Sequence, residues 1–97
     1  MEISLELLTR LFENIDRYYT FDEVKQLGLL FFKCVKENGY IDNLQEDWWI
    51  QMSVNFDVNF YEMWGHWYMC IYRQTDGVTD TRNGAIANIL LDTRMTF

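Results

Sequence analysis

The 97 residues carry fifteen Asp and Glu against eight Lys and Arg, for a net charge of −7. A chain of this length builds one hydrophobic core, so a single domain over 1–97 is expected. The composition, 49% hydrophobic and 18% aromatic, excludes intrinsic disorder, and the acidic balance argues against free nucleic acid as a ligand, because phosphate binding needs clustered Lys and Arg.

In chain order, Leu5, Leu8, Leu11, Phe12, Ile15 and Tyr19 follow the three, four and seven spacing of an amphipathic helix. That spacing predicts a helix over about 4–18, with Ser4 as its N-cap. Thr20-Phe21-Asp22-Glu23 then fits the Ser/Thr-x-x-Glu capping box, in which hydroxyl and carboxylate satisfy orphan amides reciprocally. A second helix should start near residue 21. Its buried stripe reads Val24, Leu27, Phe31, Cys34 and Val35, and Asn38-Gly39 supplies the left-handed residue that ends it. Gly28 inside this helix costs about 1 kcal/mol, tolerable where another element packs closely. Two helices joined so tightly should form a helical hairpin.

From Trp48 to Tyr61 the period changes to two. Trp48, Ile50, Met52, Val54, Phe56, Val58 and Phe60 alternate with Trp49, Gln51, Ser53, Asn55, Asp57, Asn59 and Tyr61, the pattern of a strand with one dry and one wet face. A second strand is predicted over His66–Gln74 after a turn at Trp64-Gly65. Placing Met63 opposite His66 sets Phe60 against Met69 and Val58 against Ile71, so the inward faces agree. Thr75-Asp76-Gly77 is a further turn, with a short third strand over 78–81. Ala85, Ile86, Ile89 and Leu90 have helical spacing after an Asp80 or Thr81 cap, so a C-terminal helix is expected. The fold class is α+β: an antiparallel sheet of two or three strands covered on one face by the helical hairpin.

No run approaches the roughly 20 apolar residues of a membrane helix. Cys34 and Cys70 are too few for a disulfide scaffold, which suits a reducing cytoplasm. The chain has no Gly-x-x-x-x-Gly-Lys, Gly-x-Gly-x-x-Gly, nucleophile-elbow or His-Glu-x-x-His motif, which removes common enzyme classes. His66 near Glu62 and Cys70 suggests a metal site, but no Cys-x-x-Cys pair anchors four ligands, so neither metal nor cofactor is expected. His66 reads instead as a hairpin-rim residue, and the two cysteines as small buried side chains. Trp48 and Trp64 read as core or hairpin packing. Trp49 falls on the wet face of its strand, beside Asp47, where a large rigid aromatic among carboxylates and amides has the make-up of a recognition surface.

Charge is unevenly placed. Residues 37–72 hold Glu37, Asp42, Glu46, Asp47, Asp57 and Glu62 with no Lys or Arg, so this stretch carries −6 of the −7. Such a segment favours a basic protein partner, with carboxylates taking the positions of phosphates. The candidate partner-binding residues are therefore Glu37, Asp42, Glu46, Asp47, Trp49, Asp57 and Glu62. Glu2, Glu6, Glu13 and Asp16, in the N-terminal helical region, offer a competing acidic face.

A short, strongly acidic single-domain chain with an acid-only segment and no catalytic motif resembles the phage-encoded anti-CRISPR proteins, in particular the acidic members directed at the type I-F surveillance complex. The resemblance spans the whole chain in size and charge and involves no shared motif. It implies a non-enzymatic, monomeric DNA mimic, acting in the cytoplasm of a bacterial host, that blocks target-DNA binding by a guide-RNA-loaded effector complex. An immunity protein or antitoxin that blocks a basic nuclease has the same profile and is the alternative.

Overall fold

The computed structural model describes Arg10, residues 17–39 and residues 48–91. Helix α1 spans Phe21–Glu37 and starts on the capping box. The Glu23 amide donates to Thr20 Oγ1 at 3.2 Å, and the Thr20 amide donates to Glu23 Oε1 at 3.0 Å. Arg17 adds a charge-assisted bond to Glu23 Oε2 at 2.7 Å while its guanidinium lies 3.8 Å from the centre of the Tyr19 ring. At the other end the Asn38 side chain donates to the Cys34 carbonyl at 2.7 Å, and Gly39 takes a φ of +76°. Val24, Gly28, Phe31, Phe32, Cys34 and Val35 form the buried stripe, with Leu27 half-buried beside it.

Five strands form one antiparallel sheet: β1 (Trp48–Gln51), β2 (Phe56–Met63), β3 (His66–Thr75), β4 (Val78–Thr79) and β5 (Ala87–Leu90). β1, β2 and β3 follow one another as neighbours. β4 pairs with the end of β3 at Gln74 and Thr75, and β5 pairs further back along the same edge, at Tyr68–Ile71. β4 and β5 are therefore one outer strand interrupted by the loop 80–86, which leaves the edge after Asp80 N–H bonds to Arg73 O (2.8 Å) and rejoins it where Ile86 N–H bonds to Ile71 O (2.8 Å).

The β2–β3 register is the one that matching inward faces require: Met63 opposite His66, Phe60 opposite Met69, Val58 opposite Ile71. The inward side chains Ile50, Met52, Phe56, Val58, Phe60, Trp67, Met69 and Ile71 bury against Val24, Phe31, Phe32 and Val35 of α1. Phe31 sits at the centre, with its ring centroid 5.4 Å from that of Trp48 and 5.3 Å from that of Phe60. α1 comes close to β3 at Gly28, where a Cβ would overlap the Met69 sulfur. Its missing side chain lets the helix lie down on β3, which outweighs the propensity cost.

Three expectations need correction. The single strand over 48–61 is two strands that fold back on each other around 52–55. In this hairpin residue i pairs with residue 108 − i, as in Trp48 with Phe60 and Ile50 with Val58, so paired residues share parity and the alternation passes through the turn unbroken. Ser53 and Asn55 make the turn: the Asn55 amide donates to Ser53 Oγ at 3.1 Å, and the Asn55 side chain donates to Tyr19 O at 2.9 Å. Gln74 closes it from β3, donating to Ser53 O at 2.8 Å.

The second correction is at the C-terminal side, where Ala87–Leu90 is a strand and not part of a helix. Ala87 and Ile89 face inward opposite Ile71 and Met69, while Asn88 and Leu90 face outward. The open edge of β3 offers hydrogen bonds that an isolated helical turn cannot match. The third follows from these two: the sheet has five strands rather than two or three. Most of the predicted helix over 4–18, and with it the helical hairpin, lies outside the described residues.

Candidate recognition face of the sheet

α1 covers one face of the sheet, and the pleat sends every second side chain to the other. That second face carries Trp49 and Gln51 from β1, Asp57, Asn59 and Tyr61 from β2, Tyr68, Cys70 and Tyr72 from β3, and Asn88 and Leu90 from β5. Among the described residues, the register places no Lys or Arg on this face. Two aromatic pairs dominate it. Trp49 leans across β2 toward Tyr72, with ring centroids 5.0 Å apart, and Tyr61 stacks on Tyr68 at 5.2 Å and 15°. Trp49 keeps 41% of its surface exposed, and Tyr61, Tyr68 and Tyr72 are each half-buried.

Polar groups stand among these rings, and one of them holds Tyr61. Asn88 Nδ2 donates to the Tyr61 hydroxyl at 2.9 Å, which anchors that ring to the edge strand. Asp57 accepts a hydrogen bond from the Thr79 hydroxyl, and burial pushes its carboxyl above the ordinary value. Cys70 is buried beside Tyr61, and burial raises its thiol as well. A raised thiol holds its proton at neutral pH and is a poor nucleophile.

The sequence-derived site residues distribute unevenly. Trp49 and Asp57 share the open face. Glu62 is exposed but has the opposite parity, opposite Trp67 on the helix-covered side. Glu37 is exposed at the last turn of α1. Asp42, Glu46 and Asp47 lie outside the described residues. The described acids of this set, Glu37, Asp57 and Glu62, are thus split between both sheet faces and a helix end, and do not form one row. His66 and Cys70 point to the open face while Glu62 points away. Among the described residues no three His, Cys, Asp or Glu side chains converge as metal ligands.

Sequence reasoning missed Tyr68 and Tyr72, although both alternate with the inward Trp67, Met69 and Ile71 and could have been placed by the same period-two argument used for Trp49. Trp64 also departs from expectation. It packs against neither core nor hairpin, standing 87% exposed at the tip of the β2–β3 turn.

Among the described residues, Thr75 and residues 78–83 line an open depression. Its carboxylate, Asp80, accepts from the Arg82 amide and the Asn83 side chain, both at 3.1 Å. These bonds hold the carboxyl below its usual range, so it braces its own loop rather than serving as a proton donor. No helix among the described residues is long and apolar enough to cross a membrane. No protein-family profile, curated protein or solved structure shows a significant match to this chain.

Proposed function

We propose that this protein is a non-enzymatic binding module that docks on a basic, nucleic-acid-binding surface of a protein target and blocks it. The observation that carries this reading is the open sheet face, where two aromatic pairs and the Asp57 carboxylate stand without a Lys or Arg among the described residues. Rigid aromatics supply contact area at low entropic cost, and a surface free of cations does not repel a basic partner. The acid-only stretch 37–72 within a chain of net charge −7 adds long-range attraction, which speeds encounter. Because Asp57 and Glu62 point to opposite faces, this reading places the short-range contacts on the aromatic face, with the acids acting mainly through their summed field.

The resemblance in size and charge to anti-CRISPR proteins makes a type I-F guide-RNA complex the first target to try. The test is competition: the protein is titrated against the purified complex holding labelled double-stranded target DNA, at low and at high salt. Displacement that demands more protein as salt rises supports the reading, since screening weakens attraction beyond about 8 Å at physiological ionic strength. No displacement at either salt rejects this target, and the same titration against a basic nuclease then tests the immunity-type alternative.

A further inference from the structure

The chain makes a two-residue hairpin turn twice. Between β3 and β4 the central pair is Asp76-Gly77, with φ of 52° and 78°, and between β2 and β3 it is Trp64-Gly65, with φ of 54° and 79°. These are the same mirror-image turn, which needs a left-handed backbone at both central positions and favours Asn-Gly or Asp-Gly. Asp and Asn tolerate that conformation, whereas a bulky side chain there is a genuine outlier. One chain thus solves one backbone problem with the favoured residue at one turn and with tryptophan at the other. Turn geometry does not account for Trp64. Packing does not either, because the side chain is 87% exposed, and its neighbour Met63 is 40% exposed. An apolar side chain held by a strained backbone on a convex tip points to use outside the fold.

Resting on the function proposed above, we infer that Trp64 is the anchor this protein inserts into an apolar pocket at the rim of its partner's basic surface. The occupant's chemistry follows from the charges that flank the tip in sequence. Exposed Glu62 lies two residues away, and no Lys or Arg occurs between Lys36 and Arg73. A pocket edged by Lys or Arg complements that tip, while an anionic lipid surface repels it. Tryptophan seated in a desolvated pocket and ringed by polar contacts is the commonest form of binding hot spot.

The experiment uses the full chain labelled with 5-fluorotryptophan. Its four tryptophans are followed by fluorine NMR, and Trp64 is assigned by the signal lost in Trp64→Asn. Three probes are titrated: the purified guide-RNA complex of the competition assay, phosphatidylcholine vesicles, and the protein itself at rising concentration. The expected result is that the Trp64 signal shifts or broadens with the complex alone. Trp64→Asn then binds the complex at least about thirtyfold more weakly, the size of a hot-spot loss, with an unchanged or higher urea midpoint because Asn-Gly suits the turn. If the complex binds and moves other signals but not that of Trp64, or if Trp64→Asn binds equally well, the anchor is rejected and the proposed function stands. A lower urea midpoint for Trp64→Asn assigns the residue a structural role and overturns the inference. Movement with vesicles, or with protein concentration alone, replaces the protein pocket by a membrane surface or a second copy and overturns it too. If no signal moves with the complex and target DNA stays bound, the proposed function fails first and the basic-rimmed pocket falls with it.

Discussion

Replacing Gly28 by alanine tests how closely α1 lies on the sheet. In an exposed helix this substitution stabilises by about 1 kcal/mol, because glycine loses more backbone entropy on folding. Here the new Cβ would overlap the Met69 sulfur and press on Met69 Cε at 3.0 Å. Met69 and Met52 are both fully buried, so the thioether cannot swing into solvent and must repack within a filled core. Overpacking of this kind costs about 1–3 kcal/mol. Set against the helix gain of about 1 kcal/mol, the expected net change is a loss of about 1 kcal/mol, or about 4–8 °C in Tm for a domain of this size. Urea denaturation of Gly28→Ala, of Met69→Ala and of the double variant measures it. The double variant should be more stable than the sum of the single losses predicts, because the Cβ fills space that the shortened residue 69 leaves. A Gly28→Ala protein that is more stable than the parent, with additive behaviour in the double variant, would refute the close approach.

Three further outcomes test the cap, the open face and the charge. Thr20→Ala removes the hydroxyl that accepts from the Glu23 amide and should lower stability by about 1 kcal/mol in urea melts; no loss would mean the capping box is not formed in solution. Burial raises the Asp57 carboxyl, so the folded protein holds that proton more tightly than the unfolded chain. The favourable contribution is fully present below the unfolded pKa of about 3.9 and is lost as pH rises through the raised folded value. Asp57→Asn should therefore be the more stable protein at pH 7, by a fraction of about 1 kcal/mol since the half-exposed group is screened. The gap should close on acidification, and urea midpoints at pH 7 and near pH 3.5 that show a constant difference would contradict the burial argument. Reversing Asp42, Glu46 and Asp47 to Lys adds two charges at each of three sites and moves the net charge from −7 to −1. Association with a basic partner should slow by about tenfold or more at low salt, as measured by stopped-flow mixing, and an unchanged rate would remove this segment from the recognition surface.

Much of the sheet was legible because its turns are short. Gly65 fixes a two-residue connection, and a two-residue connection admits one register in which Phe60 meets Met69 and Val58 meets Ile71. The β1–β2 hairpin was not legible from periodicity, since a turn that pairs residues of equal parity preserves the alternation on both sides of it. The signal available was compositional: Ser53 and Asn55 are residues that bond their own backbone and interrupt strands. The tail failed for a different reason. Ala85, Ile86, Ile89 and Leu90 satisfy a helical spacing, but Ala87 and Ile89 satisfy a strand spacing equally well. The unpaired edge of β3, which decides between them, is a tertiary fact that no window of six residues contains.

The acid-only stretch illustrates a limit of reading charge along a chain. Asp57 and Glu62 are five residues apart on one strand, and an odd separation puts them on opposite faces of the sheet. Glu37 belongs to a helix that ends before the sheet begins. A run without cations therefore does not by itself make a patch of anions; among the described residues it leaves one whole sheet face without a positive charge. The same stretch contains all four tryptophans, and the fold gives Trp48, Trp49 and Trp64 each a different fate. Trp48 packs on Phe31, Trp49 pairs with Tyr72 on the open face, and Trp64 stands 87% exposed at the tip of its hairpin. Their separation follows from strand parity and turn position, so the residues with most to offer a partner are set apart by geometry rather than by composition.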